Sequence, residues 1–233
     1  GRVGSTNSGM GAIQTVTGPC TPDDLGCTLM HEHLLIGWPG WEAEGPADRA
    51  ARRERVARCT ETLRELHALG VRTLLDPCPI DLGRDVDLMA ECAAASGVRI
   101  ICATGLYKEN QGAPAYFQFR THWGDALQEM TDVFVRELCK GIGDTGIRAG
   151  VIKVATGAHQ ITPYETLVLR AAARAHRATG APITTHTEDG TMGPQQLDIL
   201  IGEGVPAAAI VIGHSCGSSH LGYHLSMLDR GAV

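Results

Sequence analysis

Four histidines stand where short apolar runs end. His31 and His33 form an H-x-H pair within MHEH, His186 closes ITTH, and His214 closes IVIGH. On an extended segment residues i and i+2 face the same side, so both imidazoles of the H-x-H pair can reach one point. Neutral imidazole is the commonest protein ligand for metals, and a cluster of it suits zinc, iron, cobalt or manganese. Singly, each of these residues reads as an ordinary half-buried histidine; four of them at three strand ends read as a metal site. Lys153, inside VIKVA, is the fifth group. An unpaired ammonium there would be costly to bury. It reads either as a snorkelling or ion-paired lysine, or as an amine of lowered pKa that takes up CO₂ and offers a carbamate to two cations.

The elements that must carry these groups alternate in type. Strands are expected at 28–33, 71–76, 98–105, 149–155, 181–186 and 208–214. Helices are expected at 47–69, 84–96, 124–142, 162–179, 193–204 and 218–231. Thr162 and Pro163, with Glu165 after them, fit the capping-box start of a helix. The strands are continuous apolar runs, as in a parallel sheet covered on both faces. Repeated βα units build either a doubly wound sheet or a barrel, and periodicity does not choose between them. No G-x-G-x-x-G follows the first strand, which weakens a dinucleotide-binding reading. Polar groups at the C-terminal ends of successive strands, with Asp76 ending the second, favour a barrel mouth.

Composition narrows the partners. Of the 233 residues, 43% are apolar but only 4% aromatic, so the core must rest on Ala, Val, Leu and Ile. A net charge of −6 without a basic run argues against nucleic acid. No apolar stretch reaches the roughly 18 residues a membrane span needs. Eight cysteines, none in a C-x-x-C pair, point to free thiols in a reducing, cytoplasmic compartment.

The stretches IQTVTGPCTPDDLGCTLMHEHLL, TLLDPCPIDLGRDV, ICATGLY, GIRAGVIKVATG, ITPYETLVLRAAARAHRATGAPITTHT and VIGHS carry a likeness across nearly the whole chain. In them the chain resembles the phosphotriesterase-like amidohydrolases, including the phosphotriesterase-like lactonases. The resemblance implies an α/β fold, the TIM (β/α)₈ barrel of metal-dependent hydrolases. Residues 1–233 would be a single domain holding its first six βα units, ending before strands seven and eight and before an aspartate ligand on strand eight. It implies two divalent cations, zinc foremost. His31 and His33 would hold the more buried ion, His186 and His214 the more exposed one, and carboxylated Lys153 would bridge both. The implied reaction is hydrolysis of an ester-type bond by a metal-bridging hydroxide, with a lactone or carboxylic ester favoured over a phosphotriester. Tyr107 would border the site and hydrogen-bond the ring or leaving oxygen. The full-length protein would be a homodimer. The alternative is a non-catalytic small-molecule-binding protein on the same barrel. Where the family often has an acidic run after its strand-six histidine, this chain reads GHSCGSSHLGYH, with His220 and His224 nearby. The aromatic segment 108–123 would line the pocket or pack as a loop on the barrel.

Overall fold

Parallel strands cannot be joined by tight turns; each needs a crossover, which in this chain is helical. The computed structural model describes residues 11–41 and 49–233. An antiparallel hairpin, β1 (Ile13–Thr15) and β2 (Gly18–Cys20), comes first. Six βα units follow: β3 (Cys27–Leu29), α1 (Arg49–Ala68), β4 (Val71–Asp76), α2 (Val86–Ser96), β5 (Arg99–Gly105), then α3 (Ala115–Trp123) with α4 (Ala126–Cys139). The series continues with β6 (Val151–Ala155), α5 (Pro163–Thr179), β7 (Ile183–His186), α6 (Gly193–Gly202), β8 (Ile210–Val211) and α7 (Leu221–Leu228). Strands β3 to β8 form one parallel sheet in sequence order.

The larger core lies between the outer face of this sheet and the helices, and includes Ile100, Ile152, Phe134, Leu169 and Leu197. A smaller cluster of Leu75, Ile101, Ala103 and Val151 occupies the inner face, with Ile13 and Leu25 packed against it. The hairpin reaches that region by donating Val16 N–H to the Ile100 carbonyl at 2.8 Å. Local signals set the helix ends. Thr162 and Glu165 form the capping box of α5, Pro163 takes its first position, and Gly180 closes it at φ 77°.

The sheet curls, and one distance proves it. β3 and β8 are at opposite ends of the strand order. In a flat six-stranded sheet they would stand roughly 24 Å apart at the usual strand spacing. Yet the rings of His31, just after β3, and His214, just after β8, lie 4.6 Å apart. The six strands therefore wrap into a partial barrel whose first and last members meet at the C-terminal end.

Several elements differ from expectation. β3 stops at Leu29, so His31 and His33 sit in the bend after it rather than within the strand. The parallel ladder still extends there through Glu32 N–H to the Leu75 carbonyl at 3.1 Å. β8 keeps only Ile210–Val211. Val233 continues pairing along it, accepting from Ile212 N–H and donating to the Ile210 carbonyl, each at 3.0 Å. The segment expected as a loop at 108–123 contains α3, and the hairpin was not anticipated. The expected start of the first helix, at 47–48, lies outside the described residues.

Candidate metal centre

The ends of β3, β7 and β8, together with the middle of β6, deliver the cluster. His31 and His33 follow β3 with ring centroids 5.8 Å apart. His186, the last residue of β7, stands 4.4 Å from the His214 ring. Lys153 lies in β6 between them and extends inward until its Nζ is 3.0 Å from His31 Nε2. The structure thus brings together all five residues that the sequence singles out, and Tyr107 joins them. Its hydroxyl is 3.4 Å from His186 Nε2.

Two glycines permit this crowding. A Cβ on Gly213 would collide with the Thr185 carbonyl and stand 2.8 Å from the His31 ring. A Cβ on Gly105 would collide with the Lys153 carbonyl, and Gly105 also needs a φ of 116°. His214 itself adopts the left-handed region at φ 60°, uncommon for a residue with a side chain.

Burial disfavours charge on three of the rings and on the amine. Burial pushes His31 down to about 3 and His186 to about 2, and Lys153 and neighbouring imidazoles add to both shifts. His214 is lowered for the same reasons, burial first. It is exposed as a whole residue, but its ring is packed between those of His31 and His186. Lys153 is 1% exposed, and burial outweighs the Asp76 carboxylate to bring its amine to about 7. Imidazoles that stay neutral with their lone pairs free are the form a divalent cation takes. Three such rings, with the His33 ring beside them and a buried amine among them, are therefore a donor set that fits cations.

His33 has a support of its own. Its Nδ1 lies 3.0 Å from Cys78 Sγ and 3.3 Å from Asp76 Oδ1. Ligand atoms of His33, Asp76 and Cys78 fall within 4.8 Å of one another, close enough to hold an ion among themselves. Their hydrogen bonds argue for a different use. Asp76 accepts the backbone N–H groups of Cys78 and Leu34, each at 2.9 Å. The Cys78 thiol, pushed up by burial, donates to the Leu35 carbonyl at 3.1 Å. The pair thus engages Nδ1 of His33 and leaves Nε2 for a ligand.

Sequence reasoning noted Asp76 only as a strand end and missed Cys78, Lys108 and Glu188. The available signal was spacing. Cys78 lies two residues after Asp76, and Glu188 two after His186, so each can share its neighbour's side. Lys108, directly after Tyr107, is buried in an ion pair with Glu188, whose Oε2 is 3.7 Å from His186 Nε2. His220 and His224 do not join the cluster contacts. His220 caps α7 by accepting Tyr223 N–H, and His224 Nε2 bonds the Ser218 carbonyl at 2.8 Å.

Residues 11–233 match the family model described as the phosphotriesterase family. A "phosphotriesterase homology protein" of Mycobacterium tuberculosis is 42% identical over 233 residues, covering 96% of this chain and 69% of its own length. An "aryldialkylphosphatase" of Saccharolobus solfataricus is 33% identical over 217 residues, covering 90% of this chain and 65% of its own. The solved organophosphorus hydrolase from Deinococcus radiodurans superposes with a TM-score of 0.92 at 45% identity, over 97% of this chain and 68% of that one. A further structure, described as organophosphate hydrolysis engineered from a weak promiscuous lactonase template, gives 0.91 at 45% identity, over 95% and 68%.

Proposed function

This chain belongs to the phosphotriesterase family, and on that basis we propose that its centre hydrolyses an ester-type bond with the help of two divalent cations. The observation that carries the reading is the meeting of His31, His33, Lys153, His186 and His214 at one end of the sheet. His31 and His33 would hold one cation, His186 and His214 the other, and Lys153 would serve both. Zinc is the first candidate. Bound there, the cations would supply Lewis acidity to water and to the substrate's electrophilic centre.

The chain's own residues prepare that chemistry. Asp76 and Cys78 fix the His33 ring through Nδ1. An amine brought to about 7 is partly unprotonated near neutral pH. The unprotonated Lys153 amine can then add CO₂ at Nζ, forming an N–C bond as one C=O π pair moves onto oxygen and one N–H proton is released, which turns a neutral amine into an anionic carbamate. Tyr107, pushed up to about 12 mainly by burial, keeps its proton and can donate it in a hydrogen bond to a lactone ring oxygen. That hydrogen bond, together with the lactonase named as template for one structural relative, favours a lactone over a phosphotriester. The test is hydrolysis of a lactone, an aryl carboxylic ester and a dialkyl aryl phosphotriester by the zinc-loaded protein. The lactone should turn over fastest, and activity should vanish with chelation and return with zinc. Turnover that survives complete metal removal would overturn the proposal.

A further inference from the structure

Lys108 is among the largest fully buried side chains, with 1% of its surface exposed. Burying an ammonium costs several kcal/mol unless an anion meets it in good geometry. Its partner is the Glu188 carboxylate. Lys108 lies in the segment leaving β5, and Glu188 in the segment leaving β7, so the pair spans the exit of β6 between them.

Backbone bonds pin the lysine side of this bridge. The Lys108 carbonyl accepts Gly112 N–H at 2.9 Å. The next residue, Glu109, donates its N–H to Glu165 Oε1 at 3.2 Å, and the same oxygen accepts Gly157 N–H at 3.1 Å. Glu165 belongs to the capping box of α5, so the segment is tied to an element that the fold holds firmly. Lys108 is thereby fixed, and its ammonium fixes Glu188.

Glu188 Oε2 stands 3.7 Å from His186 Nε2, and the Tyr107 hydroxyl stands 3.4 Å from that same nitrogen. A carboxylate facing one ring nitrogen favours the proton there and leaves the lone pair on the other. We propose that Glu188, anchored by Lys108, is a positioning residue that holds His186 with its Nε2–H toward the carboxylate and its Nδ1 toward a cation. The inference rests on the metal-binding reading above. Carboxylates behind metal-bound histidines fix ring orientation and raise ligand basicity, and removing them costs about 10–100-fold in affinity.

The experiment follows zinc release from the two-zinc protein to a coloured chelator, in which each cation gives its own phase. Glu188→Gln keeps the size of the side chain and should speed one phase about 10–100-fold while leaving the other unchanged. Glu188→Asp should restore most of the loss. Lys108→Met should speed the same phase. The Lys108→Met/Glu188→Gln pair should be no faster than Glu188→Gln alone, because Lys108 acts through Glu188. Wild-type rates in Glu188→Gln, or equal acceleration of both phases with a fallen melting temperature, would overturn the proposal. A wild-type protein that takes up no zinc would overturn the metal reading itself, and this inference with it.

Discussion

At the scale of single residues, the histidines and Lys153 were legible because their chemistry conflicts with their surroundings. A lysine in VIKVA and histidines closing apolar runs need partners, and the sequence shows several such needs at equivalent places. Their supports were not legible. Asp76 and Cys78 matter to His33 only because the turn after β4 folds back against the bend after β3, which no local pattern reveals. Lys153 gives the sharpest residue prediction. Lys153→Met keeps an apolar stem but removes the amine, so bound metal per chain should fall and affinity should drop by at least about 100-fold. Added formate or acetate should restore part of the activity by standing in for the proposed carbamate. Unchanged metal content, measured by mass spectrometry of the dialysed variant, would show that Lys153 is only structural.

At the scale of elements, helix and strand types followed from periodicity and caps, while the ends of β3 and β8 did not. β3 is paired by one ladder only, and β8 by its ladder to β7 and by Val233 across its other edge, so their length depends on tertiary contacts more than on their own residues. Helix α3 was hidden for another reason. Tyr116, Phe119 and Trp123 are exposed and only Phe117 enters the core, so its aromatics do not mark a core-facing stripe.

Two buried groups bind the elements that frame the site. Asp81, in the turn after β4, accepts Tyr107 N–H at 2.8 Å and Ala113 N–H at 2.9 Å, holding the segment that carries Tyr107. Burial outweighs these donors and raises its carboxyl from 3.8 to about 6. The folded chain therefore binds this proton more tightly than the unfolded chain does. The resulting stability is full below about pH 4 and is lost as pH rises through 6. Between pH 4 and 7 the wild type should lose on the order of 2 kcal/mol relative to Asp81→Asn in denaturant unfolding. Parallel pH profiles would contradict this assignment.

Arg84 and Glu137 make the second tie, bidentate at 2.7 and 2.9 Å, with Thr104 donating to the same carboxylate at 2.6 Å. They join the start of α2 to α4 and β5. Removing one partner leaves a buried charge, so Arg84→Met should cost about 3–5 kcal/mol, whereas Arg84→Met/Glu137→Leu should recover much of it. Equal losses in the single and double variants would argue that packing, not charge, dominates there.

At the scale of the whole molecule, the order of the strands was legible and the curl was not, because closure depends on tilt and register rather than on residue type. The curl makes the centre possible by bringing β3 and β8 to one mouth. It also leaves those two as the end strands of the described sheet, and on the β3 side a cavity of about 770 Å³ is lined by Leu25, Thr28, Met30, Leu75, Ile101 and Val151, among others. Open edges and apolar inner surface promote association. The 233-residue chain alone should therefore self-associate in light scattering, and a strictly monomeric chain at high concentration would contradict that expectation. The central claim is that the four histidines and Lys153 hold two cations. Anomalous difference density from crystals of the zinc-loaded protein tests it most directly. Two peaks are predicted, one beside His31 and His33 and one beside His186 and His214, with Lys153 between them. No peak, or peaks away from these five side chains, would contradict it.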